Sequence, residues 1–539
     1  MPVPPPASSG VGWSPGDLDV TGLRPEHTPN RTLEQVAARL GVGLAPGADG
    51  DVKITGITHD SRAVRRGDLY AALPGERTHG ATFADQAARA GARAVLTDPA
   101  GAVTAGDSPL PLLVVDEPRS MLGGLAAWIY GDPAEALLLL GVTGTNGKTT
   151  TTVLLDAALR GAGHLTGLVG TVETRIGEHR VPSVRTTPEA PDLHALFAVM
   201  RETGVTACSM EVSSHALALH RVDGAVFDVV GFTNLSQDHL DFHGSLEDYF
   251  QAKASLFTAA RARRGVVVVD DEWGRRLAET TDLDVVTLAT LAPAVGVLEQ
   301  EPDWRVVARH AEEGGRTSFT LRHSDGHTLR AVCPLPGDFN VANTALALVM
   351  LIEAGVDSAA AALGLELSPG VPGRMEQVRS LRGAGRPDGP LAVVDYAHTP
   401  DAIEAALRAL RPSTPGRLVV VLGAGGDRDA GKRPAMGAAA ARAADLVVVT
   451  DDNPRSEDPA AIRATVLEGA RSEATHSGAR VVEVGDRREA VRFAVREAPA
   501  SGDTVLVAGK GHERGQEIGD TVHPFDDREV LRQALEEGE

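Results

Sequence analysis

Short apolar runs recur along the chain, and most of them empty into a polar or glycine-rich cluster. Runs of this length suit single buried strands, and the amphipathic stretches between them suit helices, so alternating β and α elements are expected. A first series, Val52–Ile57, Asp68–Leu73, Arg93–Thr97 and Leu112–Val115, follows the helical spacing of LEQVAARLGV after Thr32 and encloses a helical stretch at Phe83–Ala90. It predicts a small mixed α/β domain ending near Asp132. A second series, Leu137–Val142, Leu168–Thr171, Ala207–Glu211, Val229–Thr233 and Val266–Val269, predicts a parallel sheet with helices on both faces. Glu272–Thr328 is less regular, with hairpin-like signals, and a helix is expected over Thr344–Glu353. Leu367–Gly373, rich in proline and glycine, reads as a linker. Beyond it Leu391–Val394, Leu418–Leu422, Leu446–Thr450 and Val505–Ala508 predict a second, doubly wound sheet.

These series place the boundaries. Residues 1–30 hold seven prolines and few large apolar groups, so a flexible tail over 1–31 is expected, then domains over 32–134, 135–368 and 369–539. The net charge of -21 argues against a general nucleic-acid or anionic-membrane binder, so any anionic ligand must be met by local groups. Cys208 and Cys333 lie far apart and read as reduced thiols. No apolar run approaches the roughly 20 residues of a membrane span, and no basic-then-apolar leader opens the chain. A cytoplasmic location is the expectation.

Candidate chemistry gathers where the strands end. The run before Val142 opens into TGTNGKTTTT, in which the backbone N–H groups of Gly144, Thr145, Asn146 and Gly147 can face phosphate oxygens. Lys148 can reach the terminal phosphates, and Thr149, followed by Thr150, can offer a hydroxyl to Mg²⁺. The first glycine of the common P-loop spacing is replaced by Val142, so the loop implies a nucleoside triphosphate without fixing the family. Glu211-Val-Ser213-Ser214-His215 and Thr233-Asn234 through Asp238-His239 follow two further strands. Either histidine alone fits a structural role; a carboxylate and a histidine beyond successive strands also fit a metal or phosphate site. Lys253 falls on the apolar face of a helix opened by Ser245, with Leu246, Tyr249 and Phe250. It is either a snorkelling lysine or a buried amine whose pKa desolvation depresses. In the last domain the strands end in Asp395-Tyr-Ala-His398, Asp427-Arg428-Asp429, Asp451-Asp452-Asn453-Pro454-Arg455 and Gly509-Lys510-Gly511-His512-Glu513.

Taken together, TGTNGKTT at 143–150, TTPE at 186–189, EVSSHALALHRV at 211–222, TNLSQDHLDFHG at 233–244, Lys253, GRME at 373–376, DYAHTPD at 395–401, GGDRDAGKRP at 425–434, DDNPR at 451–455 and AGKGHE at 508–513 resemble the Mur ligase family. Within it they resemble the branch that adds the third amino acid to UDP-N-acetylmuramoyl-L-alanyl-D-glutamate. The resemblance covers about residues 50–530. It implies three domains: a small mixed one, a central P-loop ATPase and a Rossmann-like third. It also implies a monomeric ligase of peptidoglycan precursor synthesis that phosphorylates a carboxylate with ATP and lets an amine attack the acyl phosphate. Carried onto matching positions, Lys148, His239, Lys253 and Arg374 are catalytic, with Thr149, Glu211, His239 and a carbamylated Lys253 serving Mg²⁺. Asn343, Arg374, Asp395 and His398 join the loop around ATP, with Arg374 expected to arrive as the third domain swings in. Ser61, Glu76, Arg77, Thr78, Thr186, Thr187, Ser213 and Arg221 match contacts to the UDP-muramoyl-dipeptide. Arg428, Asp452, Asn453, Pro454, Arg455, Gly509 and Glu513 match the pocket for the incoming amino acid.

The last pocket also suggests which amino acid. Diaminopimelate carries a distal carboxylate that Arg455 can grip bidentately, while Asp452 and Glu513 can meet ammonium groups. Lysine would leave Arg455 without a partner, and an uncompensated buried charge costs about 3–5 kcal/mol. Diaminopimelate is therefore the expected substrate. A nucleotide-driven switch would share the phosphate loop, but it has no use for an inward lysine or for a domain whose strands end in amino-acid-binding groups.

Overall fold

The structure, a computed structural model, describes residues 23–537 except 76, 183–184, 292–300, 313–315 and 380–388. The chain divides into two compact units: Met1–Leu137 with Glu173–Thr206 and Leu219–Ala225, and Leu138–Val172 with Ala207–Ala218 and Val226–Glu539.

In the first unit β1 (Gly56–Thr58), β2 (Asp68–Ala71), β3 (Ala94–Thr97) and β4 (Leu112–Val114) form a four-stranded parallel sheet in chain order. The helix α1 (Leu33–Leu40) starts where the spacing places it because Thr32 and Gln35 form a reciprocal capping box. Its Leu33, Val36 and Leu40 join Ile57, Leu69, Leu96 and Leu113 in one core. Helices at Pro99–Ala105 and Pro118–Ile129, each opened by a proline in its first turn, went unread because glycines interrupt their apolar spacing. The proline-rich tail lies outside the described residues as far as residue 22. From Leu23 the chain is tied down: Leu23 is buried, Arg24 pairs with Asp68, and the Glu26 and His27 N–H groups donate to Glu202.

The second unit holds both sheets that matter for chemistry. The central one takes the order β6-β7-β5-β8-β9-β10-β11-β12-β13 from β5 (Leu138–Thr143), β6 (Thr166–Val169), β7 (Ala207–Glu211), β8 (Phe227–Phe232), β9 (Ala262–Val268), β10 (Val285–Ala289), β11 (Trp304–Ala311), β12 (Thr317–His323) and β13 (Thr328–Cys333). Neighbours are parallel from β6 to β11 and antiparallel beyond. The less regular stretch therefore contains two more strands of the parallel order, β10 and β11, and a helix at Glu272–Thr280, besides its hairpins. The helix α2 (Lys148–Gly161) packs Leu154, Leu155 and Leu159 on this sheet, in one core with Val341, Leu346 and Met350. The helix α3 (Leu246–Ala254) is capped by Ser245, whose side chain accepts from the Asp248 N–H.

The helix α4 (Asp338–Glu353) begins six residues before the expected Thr344, so Asn343 sits within it rather than before it. Beyond the linker, β14 (Leu391–Asp395), β15 (Leu418–Leu422), β16 (Leu446–Val449), β17 (Arg480–Glu483) and β18 (Thr504–Ala508) form a parallel sheet in the order β14-β18-β15-β16-β17. A hairpin, β19 (Gly515–Ile518) and β20 (Thr521–Pro524), follows the last of them.

Candidate active site

The carboxyl ends of β5, β7 and β8 carry the centre of the site. Two lysines converge on one carbonyl. Lys148 Nζ donates to the Gly144 and Thr145 carbonyls at 2.9 Å each, and Lys253 Nζ donates to the Gly144 carbonyl at 2.7 Å. Burial lowers both pKa values. The Lys148 charge drives Lys253 further down, to well below the ordinary range, while Asp238 pulls it back up. Lys253 is 1% exposed and lies 4.4 Å from the Tyr249 ring centre, so it is the buried amine and does not snorkel.

The loop itself is braced by Asn234, whose carbonyl accepts from the Thr145 N–H and whose Oδ1 accepts from the Asn146 N–H. That corrects the expected cradle of four amides: two of the four face Asn234. Gly147, at φ +90°, has no room for a Cβ because Asn343 Oδ1 sits against it. Asn343 is thereby brought to the loop from α4.

At the start of α2 the Thr149 hydroxyl donates to Glu211 Oε2 at 2.9 Å. Glu211 also accepts from the Thr171 N–H and hydroxyl. Arg374, just past the linker, donates from Nη2 to Thr149 Oγ1 at 3.3 Å and stacks over Tyr396. It already stands at the phosphate loop, which corrects the expectation of a later arrival. Its Nε is buried without a hydrogen-bond partner among the described residues, an unanswered donor at the place where an anion is expected. Asp395 fixes this approach by accepting from the Met375 and Ala397 N–H groups, and Met375 is left-handed at φ 47°.

Opposite lies Asp238, held low despite its burial by His239, His398, Lys432 and Lys148. Desolvation lowers the His239 pKa to about 4 and also lowers that of His398, against the pull of Asp238 on both. His239 is left-handed, at φ 55°, and its ring packs edge-on to His215. The ion pair Lys432–Asp238, at 3.7 Å, joins the third domain to this loop.

In the third domain, the loops after β16 and β18 meet. Asn453 Nδ2 donates to Glu513 Oε2 at 2.9 Å, and the fully buried Lys510 donates to Asn453 Oδ1 at 2.7 Å and lies 3.5 Å from Asp452. Burial raises the Glu513 pKa and Asp452 adds to this, against Lys510 and Asn453. Gly509, at φ +115°, leaves the space that Asp452 occupies. Arg487 and Asp527 form a fully buried pair behind them, with Arg487 also donating to the Ala508 and Asp451 carbonyls. Pro454 carries the loop to Arg455, whose Nε donates to Glu517 at 2.6 Å and whose Nη1 donates to the Gly426 carbonyl. Arg455 is therefore not waiting unpaired, and the full penalty expected against lysine does not apply. Arg428 is exposed at the edge of this cluster, with its Cγ and Arg455 Nη1 both lying against Gly425.

The first unit gathers a further set from three separated stretches. Ser61 is half-buried, Arg77 and Thr78 are exposed on the loop after β2, Thr187 is buried and Thr186 half-buried. Arg221 pairs with Glu189 at 2.8 Å, and Arg119 and Arg185 approach the same carboxylate at 3.3 and 4.0 Å. Three guanidinium groups on one carboxylate leave an excess of positive charge suited to an anion. Glu76 lies outside the described residues. Ser213 belongs to the second unit, where its side chain accepts from the Ala216 N–H.

Three family descriptions match in order: the Mur ligase family catalytic domain over 53–129, the Mur ligase middle domain over 142–351 and the Mur ligase glutamate ligase domain over 373–511. The chain is 57% identical over 513 residues to UDP-N-acetylmuramoyl-L-alanyl-D-glutamate–2,6-diaminopimelate ligase of Streptomyces coelicolor, covering 95% of this chain and 98% of the relative. The chain belongs to the Mur ligase family. A solved structure of a 2,6-diaminopimelate ligase of the same description matches at 32% identity, with a TM-score of 0.64 over 94% of this chain and 99% of that one. The ligase MurF of Thermotoga maritima, solved in complex with ADP, shares the fold at 19% identity and a TM-score of 0.59, over 90% and 97%.

The three-domain α/β architecture of Mur ligases is thus the one the strand series implies. For this Mur ligase the donor set at Thr149 and Glu211, a hydroxyl beside a buried carboxylate, fits Mg²⁺, which takes one or two carboxylates and completes its shell with phosphates and water. No preformed cage of three acidic, histidine or cysteine ligands exists among the described residues. No helix among them is long and apolar enough to cross a membrane. Asn234, Thr171, Lys432, Lys510 and Glu517 went unread as site residues. Asn234, Lys432 and Lys510 lie inside the quoted motifs and Glu517 just beyond one, whereas Thr171 ends an expected strand outside them all; nothing in one dimension says which residue of a motif faces which.

Proposed function

We infer that this chain is an ATP-dependent ligase that joins diaminopimelate to the D-glutamate of UDP-N-acetylmuramoyl-L-alanyl-D-glutamate through an acyl phosphate, in cytoplasmic peptidoglycan precursor synthesis, acting as a monomer. The observation that carries the reading is the line Glu211–Thr149–Arg374, which brings a carboxylate, a hydroxyl and an unanswered guanidinium donor from two domains to one phosphate loop. The 57% identical relative bears the name of this activity.

In this reading Gly147, Lys148, Thr149 and Thr150 hold the ATP phosphates, Gly144, Thr145 and Asn146 shape the loop, and Asn343, Asp395 and His398 close the nucleotide side. Lys148 leaves its loop carbonyls for the γ-phosphate, and Arg374 neutralises charge as the phosphoryl group passes to the glutamate carboxylate. Thr149, Glu211 and His239 would hold Mg²⁺, which would supply further neutralisation of the phosphates. Lys253, a desolvated amine, is suited to carbamylation, which would convert it into a buried anion beside Lys148. Ser61, Glu76, Arg77, Thr78, Thr186, Thr187, Ser213 and Arg221 take the nucleotide-sugar dipeptide. Arg428, Asp452, Asn453, Pro454, Arg455, Gly509 and Glu513 take diaminopimelate, whose amine attacks the acyl phosphate and releases phosphate. Domain boundaries at 32–134, 135–368 and 369–539 accompany the reading.

Phosphate release measured with each substrate omitted tests it. Release should require ATP, the UDP-muramoyl-dipeptide and diaminopimelate together; ATPase activity indifferent to the last two would overturn the reading.

A further inference from the structure

The partner that Arg455 already has bears on how the amino acid enters. Arg455 is left-handed, at φ 51°, and β19 is laced to it: its N–H donates to the Glu517 carbonyl and its own carbonyl accepts from Gly519 N–H. The Glu517 N–H donates to Asn453 Oδ1, so the whole of this strand end is registered on the Asp452–Arg455 loop. That lacing delivers the Glu517 carboxylate to Arg455 Nε at 2.6 Å.

A guanidinium can grip a carboxylate bidentately on two edges, Nε with Nη2 or Nη1 with Nη2. Each edge of Arg455 has one N–H committed, Nε to Glu517 and Nη1 to the Gly426 carbonyl at 2.7 Å. The second commitment is fixed, because Gly426 N–H donates to the Asn453 carbonyl and a Cβ at Gly426 would strike the Pro454 carbonyl. The first is not: the Glu517 side chain is 44% exposed and can turn out to water. The Nε edge is the one that opens.

We propose that Glu517 is a resident carboxylate which occupies the Nε edge of Arg455 until the distal carboxylate of the incoming amino acid displaces it, and so sets both affinity and selectivity at this pocket. The proposal rests on the reading of Arg455 as the partner of that distal carboxylate. Diaminopimelate then exchanges one carboxylate for another rather than filling an empty site, which weakens its binding. An amino acid lacking the distal carboxylate leaves Arg455 paired with Glu517, which softens the rejection of lysine.

The test compares Glu517→Gln and Arg455→Ala with the native enzyme, measuring KM and kcat for diaminopimelate and for lysine. An exposed ion pair is worth a factor of about two to five. Glu517→Gln should lower the diaminopimelate KM by about that factor, leave kcat within about twofold, and widen the preference over lysine. A KM that stays the same or rises overturns the proposal, a rise meaning that Glu517 binds an ammonium of the substrate. If Arg455→Ala raises the diaminopimelate KM tenfold or so while Glu517→Gln is silent, the pocket reading stands and the proposal falls. If Arg455→Ala is silent too, the reading beneath it has failed.

Discussion

Replacing Asp527 by asparagine isolates the buried charge pair behind the Asp452–Asn453–Glu513 cluster. Arg487 and Asp527 are both fully buried, and Nε and Nη2 donate to the two carboxylate oxygens at 2.8 and 2.7 Å. Burial alone would lower the Arg487 pKa; the Asp527 carboxylate outweighs it and holds the group charged. Asp527→Asn keeps the shape and one acceptor but removes the charge, leaving a desolvated guanidinium whose loss of partner costs about 3–5 kcal/mol. Asp452 and Glu513 also face Arg487, so the lower end, about 3 kcal/mol, is the expected value. For a domain of this size each kcal/mol moves Tm by about 2–4 °C, which places the third-domain transition about 6–12 °C lower by scanning calorimetry. Since Arg487 also binds the Ala508 and Asp451 carbonyls, at the ends of β18 and β16, the diaminopimelate KM should rise while ATP binding stays put. A Tm within about 2 °C of native would refute the reasoning. Arg487→Met with Asp527→Leu should recover most of the lost stability, because both desolvated charges are then gone.

Other expectations follow from the centre of the site. Gly147→Ala should abolish ATP binding in an equilibrium titration, since the added Cβ meets Asn343 Oδ1; adding Asn343→Ala should restore part of the folding stability, leaving a left-handed alanine that costs on the order of 1 kcal/mol. Arg374→Ala should lower kcat about 10²–10³-fold with the dipeptide KM little changed, and Arg374→Lys should recover only part of it; full activity in either would remove Arg374 from the phosphoryl step. Burial, with Arg374 and Arg528 adding to it, pushes the His512 pKa from 6.5 down to about 4. Its neutral form is favoured by the fold, so this stability is full above pH 6.5 and is lost as pH falls towards about 4; His512→Gln should flatten a Tm profile across that window. Lysine 253 should carry a carbamate carbon resonance when the enzyme is held in ¹³C-bicarbonate, and its absence would return the group to a plain buried amine.

The layers were legible in the sequence alone, and so was the sheet edge at which the candidate site gathers. Alternation of apolar runs with helical stretches is a local, periodic signal, so Ala207–Glu211 and Leu418–Leu422 are strands over the residues read, and the polar clusters of the candidate site follow their ends. The inward position of Lys253 was legible as spacing, but whether it escaped to water was not, because that depends on the Gly144 carbonyl lying 109 residues earlier in the chain. The pairings came from the folded chain: Asn234 taking two amides of the phosphate loop, Arg374 standing at Thr149, and Glu517 rather than emptiness on Arg455. Helices and strands follow from neighbours within a few residues. A site is made of charges and donors whose partners are chosen by the packing of distant segments, and burial then sets how far each charge is felt.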